Sequence, residues 1–291
     1  YLPVSVLKHG TLRLDPFINR NPFFNLDKSP HYVIKSDGHY YSKFSPLTPL
    51  MVTPLYALDF LFFGPPGDCI ACNASRYIKL SRLSASLIEA GVVIIVFAVL
   101  RHRIAQPFAF LLSIGYAFGT YSWAAATNTL TVQSTAELFI ALSLLSLLRI
   151  ESKERKAQGL WITVAFGSLA LAGVARPQLA GVLALLGAYL LWRTLKHRRL
   201  QPSHFIPAFI VAILFFGYNT WAFGSPFKTG YGQEALAGWS TPFLFGLLSI
   251  LFSPAHGLLM YSPLLLMGIF AGLNLGWRWL LSNLSKNSES L

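Results

Sequence analysis

Apolar runs long enough to cross a lipid bilayer recur along this chain, and a short basic cluster follows every second one. The runs lie at 83–100, 105–122, 131–149, 159–175, 177–193, 203–222 and 257–277. A spanning helix needs about 20 mostly apolar residues, and a helix satisfies its own backbone polar groups where lipid offers none. The pattern predicts an all-α polytopic membrane protein with about seven transmembrane helices. The stretch 159–193 is too long for one crossing at about 1.5 Å per residue. Its break is expected at Arg176-Pro177, because proline disfavours helix at the residue before it.

Lysine and arginine predict the orientation. Arg101 and Arg103 follow the first run, Arg149, Lys153, Arg155 and Lys156 the third, Arg193, Lys196, Arg198 and Arg199 the fifth, and Arg278 the last. The loops between carry only Arg176 and Lys228. Basic loops stay in the cytoplasm, so residue 82 and everything before it are expected outside. Composition agrees with the class: 12% of residues are charged and 54% hydrophobic, against about 25% charged in an average soluble domain. The net charge of +12 is spread over loops and does not form one face, which argues against nucleic acid and for an anionic cytoplasmic leaflet.

Three parts are expected: an extracytoplasmic arm at 1–82, a transmembrane helical domain at 83–281 with an outer loop at 223–256, and a polar tail at 282–291. The chain opens on Tyr1-Leu2-Pro3 with no span before the polar arm. A polar arm needs something to carry it across a membrane, so the sequence is expected to be a fragment lacking its start. The segment 46–63 would place the arm in the cytoplasm if it spanned. Pro46, Pro49 and Pro54 shorten any clean helix there, and an interfacial helix lying in the membrane plane is expected instead. The run 242–252 is likewise too short to span. Gly115 with Gly119, and Ser168 with Ala172, have the spacing that lets helices pack closely in lipid.

This orientation gathers the polar residues of interest on one side: Lys43, Gln133, Glu137, Arg176, Lys228, Tyr231, Glu234 and His256. Lys43 stands among aromatics and prolines in Tyr40-Tyr41-Ser42-Lys43-Phe44-Ser45-Pro46-Leu47, a setting suited to a lipid phosphate. Ionisable groups inside a bilayer cost about 2.5–3.5 kcal/mol on insertion scales and usually face a partner. Glu89 and Glu137 are therefore cavity candidates, with an interhelical hydrogen bond or a locally protonated carboxyl as the alternative. The guanidinium of Arg176 suits bidentate phosphate contact, or it snorkels to headgroups as an anchor.

Other motifs carry little. Cys69 and Cys72 form one Cys-x-x-Cys without the second pair a zinc site needs; a structural disulfide or two idle thiols is expected. No Gly-rich phosphate loop ending in Lys-Ser/Thr and no nucleophile elbow occurs in the sequence.

Several segments together resemble the GT-C superfamily of polytopic glycosyltransferases, in its branch of protein O-mannosyltransferase-like and lipid A aminoarabinose transferase-like enzymes (glycosyltransferase family 39-like). They are the arm Tyr1 to Leu12; Tyr41-Ser42-Lys43-Phe44-Ser45-Pro46-Leu47-Thr48-Pro49-Leu50, similar to a Lys-Pro-Pro-Leu segment; and Ser75-Arg76 through Arg82-Leu83-Ser84-Ala85, similar to an Ala-Arg-Leu-Pro segment. Ala175-Arg176-Pro177-Gln178, Phe223 to Gly232 and Leu251 to Leu258 resemble a bacterial subgroup. The resemblance implies transfer of a sugar from a polyprenyl-phosphate donor to an unknown lipid, glycan or protein acceptor at the outer face of a bacterial inner membrane. It implies that Lys43 contacts the lipid phosphate. Arg176, on the same outer face, is expected as a second phosphate contact, and Tyr41, Gln133, Lys228, Tyr231 and His256 as residues of the substrate cavity. The family's general-base aspartate would fall before Tyr1, and Asp15 lies too far along to replace it. Glu137 and Glu89 are the weaker catalytic candidates. Gln133 stands where the family has an acidic residue or histidine, which argues against metal assistance; no particular cofactor is expected and a divalent metal is left open, with Glu137 about one helical turn away. The competing readings are a transporter or lipid flippase, and a non-catalytic membrane fragment.

Overall fold

A computed structural model describes residues 1–18, 32–67, 72–120, 122–123, 128–150, 155–196, 200–232, 241–253, 257, 259 and 268–274. The arm comes first. α1 (Leu2–His9) ends at Gly10, whose φ of 62° closes the helix in the left-handed region. Short α2 (Asp15–Ile18) follows, then β1 (Val33–Ser36) and β2 (His39–Ser42), which pair antiparallel with Val33 opposite Ser42 and Ser36 opposite His39. The all-α expectation therefore needs correcting: the arm carries a β-ribbon. Its turn is Asp37-Gly38, both at positive φ, the dipeptide that suits the twist of a tight hairpin.

Asp15 fastens this ribbon to α2. Its Oδ1 accepts the Tyr40 N–H at 2.7 Å and its Oδ2 pairs with His39 Nδ1 at 2.8 Å. α3 (Leu47–Phe63) buries Thr48, Val52 and Tyr56. That i, i+4, i+8 stripe faces α1, and Leu61, Phe62 and Phe63 at the far tip are about three-quarters exposed. Leu2, Val4, Phe17, Val33, Val52 and Tyr56 join Tyr77, Leu80 and Ile88 of the next helix in one core, so the arm is packed onto the bundle and not tethered beside it.

That next helix, α4 (Ala74–Leu100), is continuous through residue 82. The bundle goes on with α5 (Gln106–Gly119), α6 (Val132–Ile150), α7 (Arg155–Ala175), α8 (Ala180–Lys196), α9 (Ile206–Phe223) and α10 (Phe243–Phe252). Among the described residues, five helical stretches are long and apolar enough to cross a membrane: Ala74–Leu100, Val132–Ile150, Ala157–Ala175, Pro177–Lys196 and Pro202–Phe223. Five such helices mark an integral membrane protein.

Two of the seven expected spans are not among them. The span expected at 105–122 is α5, with 14 residues and a length of about 21 Å against a core of about 30 Å. It ends where Thr120 turns extended and its hydroxyl caps the Tyr116 carbonyl at 2.7 Å. The span expected at 257–277 falls largely outside the described residues; 268–274 are helical. The break at Arg176 is where proline predicts it, with Arg176 extended (φ −145°, ψ 91°) between α7 and a 3-10 turn at Pro177–Leu179.

The helices alternate in direction. Ser81 Oγ bonds Thr129 Oγ1 and accepts from Leu130 N, both at 3.0 Å, so α6 starts beside the first turns of α4. The chain has returned from Arg101 to that end, through α5, whose Phe110 meets Phe97 near the other end. α7 and α6 form the largest helix contact of the bundle, and Ile150, Ile162, Ala165, Leu169 and Leu190 make its second core. Ser168 and Ala172 on α7 are both buried. At the end opposite the arm, Arg101, Arg149 and Lys196 lie over Phe97, Trp161 and Trp192. Cations on aromatic faces at helix ends suit a membrane–water interface.

Candidate functional site

The alternation brings the arm, the starts of α4 and α6, the α7–α8 turn and the segment after α9 to one end. Between them lies a cavity of about 910 Å³. Its wall on the arm side is Tyr1, Tyr32, Phe44, Ser45 and Thr48; on the bundle side it is Tyr77, Ser81, Arg82, Asn128 to Gln133, Arg176, Gln178 and Tyr231. The space is within the range of small-molecule and lipid-headgroup sites, apolar with a few polar groups.

Two guanidinium groups supply its charge. Arg82 sits in the third turn of α4, exposed, with Nε donating to the Asn128 carbonyl at 3.3 Å. That bond leaves its other N–H groups for a ligand. Arg176 is half-buried at the helix break, and among the described residues its side chain makes no hydrogen bond or ion pair. The bend that ends α7 is what turns this residue into the cavity rather than along a helix. None of the described Asp or Glu side chains lines the space, so its field is positive.

Lys43 stands next door. With Phe44, Ser45, Tyr218, Asn219 and Tyr231 it lines a narrow crevice of about 20 Å³ that shares Phe44, Ser45 and Tyr231 with the large cavity. Its Nζ is 5.8 Å from the centre of the Tyr231 ring. The segment after α9 is held there by Asn219 Nδ2, which donates to the Pro226 carbonyl at 3.1 Å, and by Gly230, whose backbone lies directly on that of Lys43.

The sequence-predicted site residues thus fall into groups. Gln133, Arg176 and Tyr231 line the cavity, and Lys43 adjoins it. Tyr41 is 2% exposed and packs edge-on against Trp221 and Phe223, fixing β2 to the end of α9. Lys228 is exposed in the turn after α9 and lines neither space. Glu137 accepts hydrogen bonds from Tyr116 and Ser122, the interhelical arrangement that was its alternative. Glu89 is buried in α4, away from the cavity. Asp15 is engaged by the ribbon. His256, Glu234 and Cys69 lie outside the described residues; Cys72 is disulfide-bonded. Among the described residues no group of three or more His, Cys, Asp or Glu is placed to hold a metal ion.

Arg82 is the residue that sequence reasoning passed over. Its signal was present: an arginine at the start of an apolar run, at the arm end of its helix. No family model matches this chain, and neither a curated protein nor a solved structure matches it.

Proposed function

We propose that this chain belongs to an integral-membrane glycosyltransferase that moves a sugar from a polyprenyl-phosphate donor to an acceptor, working at the outer face of a bacterial inner membrane. The observation that carries the reading is the arm-end cavity with Arg82 and Arg176 on its wall and Lys43 beside it. Phosphate is a good leaving group at neutral pH. The transfer therefore needs positive charge where the phosphate regains its negative charge, and a planar guanidinium matches a phosphate's oxygens.

The donor's route fits too. Ile78, which lines the cavity, continues along α4 into exposed Leu83 and Leu87, and Leu61, Phe62 and Phe63 are exposed at the tip of α3. A polyprenyl tail lies along that surface in the bilayer while its headgroup enters sideways. In the reaction the acceptor oxygen attacks the anomeric carbon, the carbon–phosphate oxygen bond breaks, and polyprenyl phosphate leaves with the bonding electrons. The acceptor's proton goes to a base that is not among the described cavity residues. Tyrosines and Gln133 are left to orient sugar hydroxyls.

The test uses the full-length protein in proteoliposomes with a radiolabelled polyprenyl phosphate sugar. Release of the sugar from the lipid, lost in Arg176→Ala, supports the proposal; no binding of the lipid phosphate by the wild type refutes it. A transporter or flippase is the second reading, favoured by the buried carboxyl of Glu89 in a spanning helix. Counterflow of substrate into vesicles without release of sugar would select it.

A further inference from the structure

A second polar cluster lies inside the bundle, off the cavity. Glu89 of α4 is 3% exposed, and both its carboxylate oxygens are buried without a hydrogen-bond partner. There α4 packs on α6, with Gly91 against Leu138, and the groups near enough to act on Glu89 electrostatically are Glu137 and Ser134 of α6 and Tyr116 of α5. Ser134 is close, but its hydroxyl pairs with Thr131 at 3.3 Å and its geometry toward Glu89 is not that of a hydrogen bond. Glu137 is solvated differently: its Oε1 takes both the Tyr116 and the Ser122 hydroxyls. Among the described residues neither acid has a basic partner.

Two adjacent carboxylates without a cation between them do not both ionise in a site that excludes water. An unpaired charge within a spanning helix is also unfavourable against the lipid. The two environments divide the roles. Glu137 Oε1 accepts from two hydroxyls, whereas Glu89 accepts no hydrogen bond among the described residues. We propose that Glu89 and Glu137 form a buried one-proton site, with the proton on Glu89. The ligand of this site is a proton, and the assignment does not rest on the glycosyl-transfer reading.

The position gives the proton leverage. Glu89 lies about 12 Å along α4 from Ser81, at about 1.5 Å per residue. The contacts of Ser81 with Thr129 and Leu130 join α4 to the start of α6 in the cavity wall. Losing the proton sets two like charges between the same two helices below that junction.

The experiment compares the full chain with Glu89→Gln and Glu137→Gln in lipid nanodiscs. Infrared spectra at neutral pH are expected to show a protonated-carboxyl C=O band that disappears in Glu89→Gln and persists in Glu137→Gln. Denaturation at neutral pH is expected to release about one proton more from the wild type than from Glu89→Gln. The amide is a neutral isostere of the protonated acid, so Glu89→Gln is expected to fold. A Glu89→Gln chain that fails to fold, or one that keeps both the band and the proton release, overturns the proposal.

Discussion

The backbone of Gly230 lies against the backbone of Lys43, so closely that a methyl group at position 230 would fall on the Lys43 carbonyl and Cα. Backbone cannot give way as a flexible side chain does. The contact sets the position of Tyr231, whose ring lies under the Lys43 ammonium and meets Phe44 edge-on. Replacing Gly230 with alanine is expected to push the segment off the arm and to destabilise the protein by about 1–3 kcal/mol, the usual range for overpacking. Thermal unfolding in detergent checks the stability. Polyprenyl-phosphate binding is expected to weaken in the same variant, because Tyr231 lines the cavity.

Arg82 and Arg176 should each matter more than Lys43 for the lipid phosphate. A hydrogen bond to a charged group contributes about 1.5–3 kcal/mol, so Arg82→Gln and Arg176→Gln are each expected to weaken polyprenyl-phosphate binding by roughly 10- to 100-fold. Lys43→Ala is expected to weaken it less, since its Nζ sits over Tyr231 in the adjoining crevice. Competition with a labelled polyprenyl phosphate measures all three. Unchanged binding in both arginine variants would remove the cavity from the account.

Arg76 ties α3 to α4. Its guanidinium pairs with the Asp59 carboxylate at 2.5 Å and donates to the Asp59 and Gly64 carbonyls at 3.2 and 2.8 Å. Asp59→Ala leaves that guanidinium without its countercharge, and a loss of about 1–3 kcal/mol is expected. Limited proteolysis near residue 64 is the readout, with faster cleavage in the variant than in the wild type.

Tyr56 makes the arm sensitive to alkali. Burial in the arm core raises its phenol to about 12, with Asp59, Tyr77 and Tyr1 adding to the rise. The unfolded phenol titrates near 10, so above that pH the unfolded chain loses a proton that the folded chain keeps. Stability from this group is present below pH 10 and falls as pH rises toward 12, on the order of 1 kcal/mol per pH unit. Tyr56→Phe is expected to flatten that decline in thermal-unfolding midpoints measured between pH 9 and 11.

The spanning helices were legible because long apolar runs and proline act locally. Arg176-Pro177 breaks the chain where the residue order says it must, and α6, α8 and α9 match their expected spans within a few residues. α5 is shorter than its apolar run because Thr120 caps the helix before that run ends. The β-ribbon was missed although Asp37-Gly38 is a strong turn signal; its strands are four residues each, too short for alternation to show. At the site, charge parity placed Gln133, Arg176 and Tyr231 at one end. It could not distinguish a cavity wall from a packing contact, which is why Tyr41 was drawn in and Arg82 was not. That distinction depends on which helix face meets the arm, and the arm's docking is set by long-range contacts such as Tyr41 on Trp221.

Sidedness carries the whole reading, and single-cysteine labelling of intact cells tests it directly. With Cys69 and Cys72 replaced by serine, Asp37→Cys reports the exposed turn of the arm and Arg103→Cys the basic end after α4. A membrane-impermeant thiol reagent is expected to label position 37 in intact cells and position 103 only after the membrane is opened. Labelling of both from the same side, or of position 103 alone in intact cells, would contradict the account.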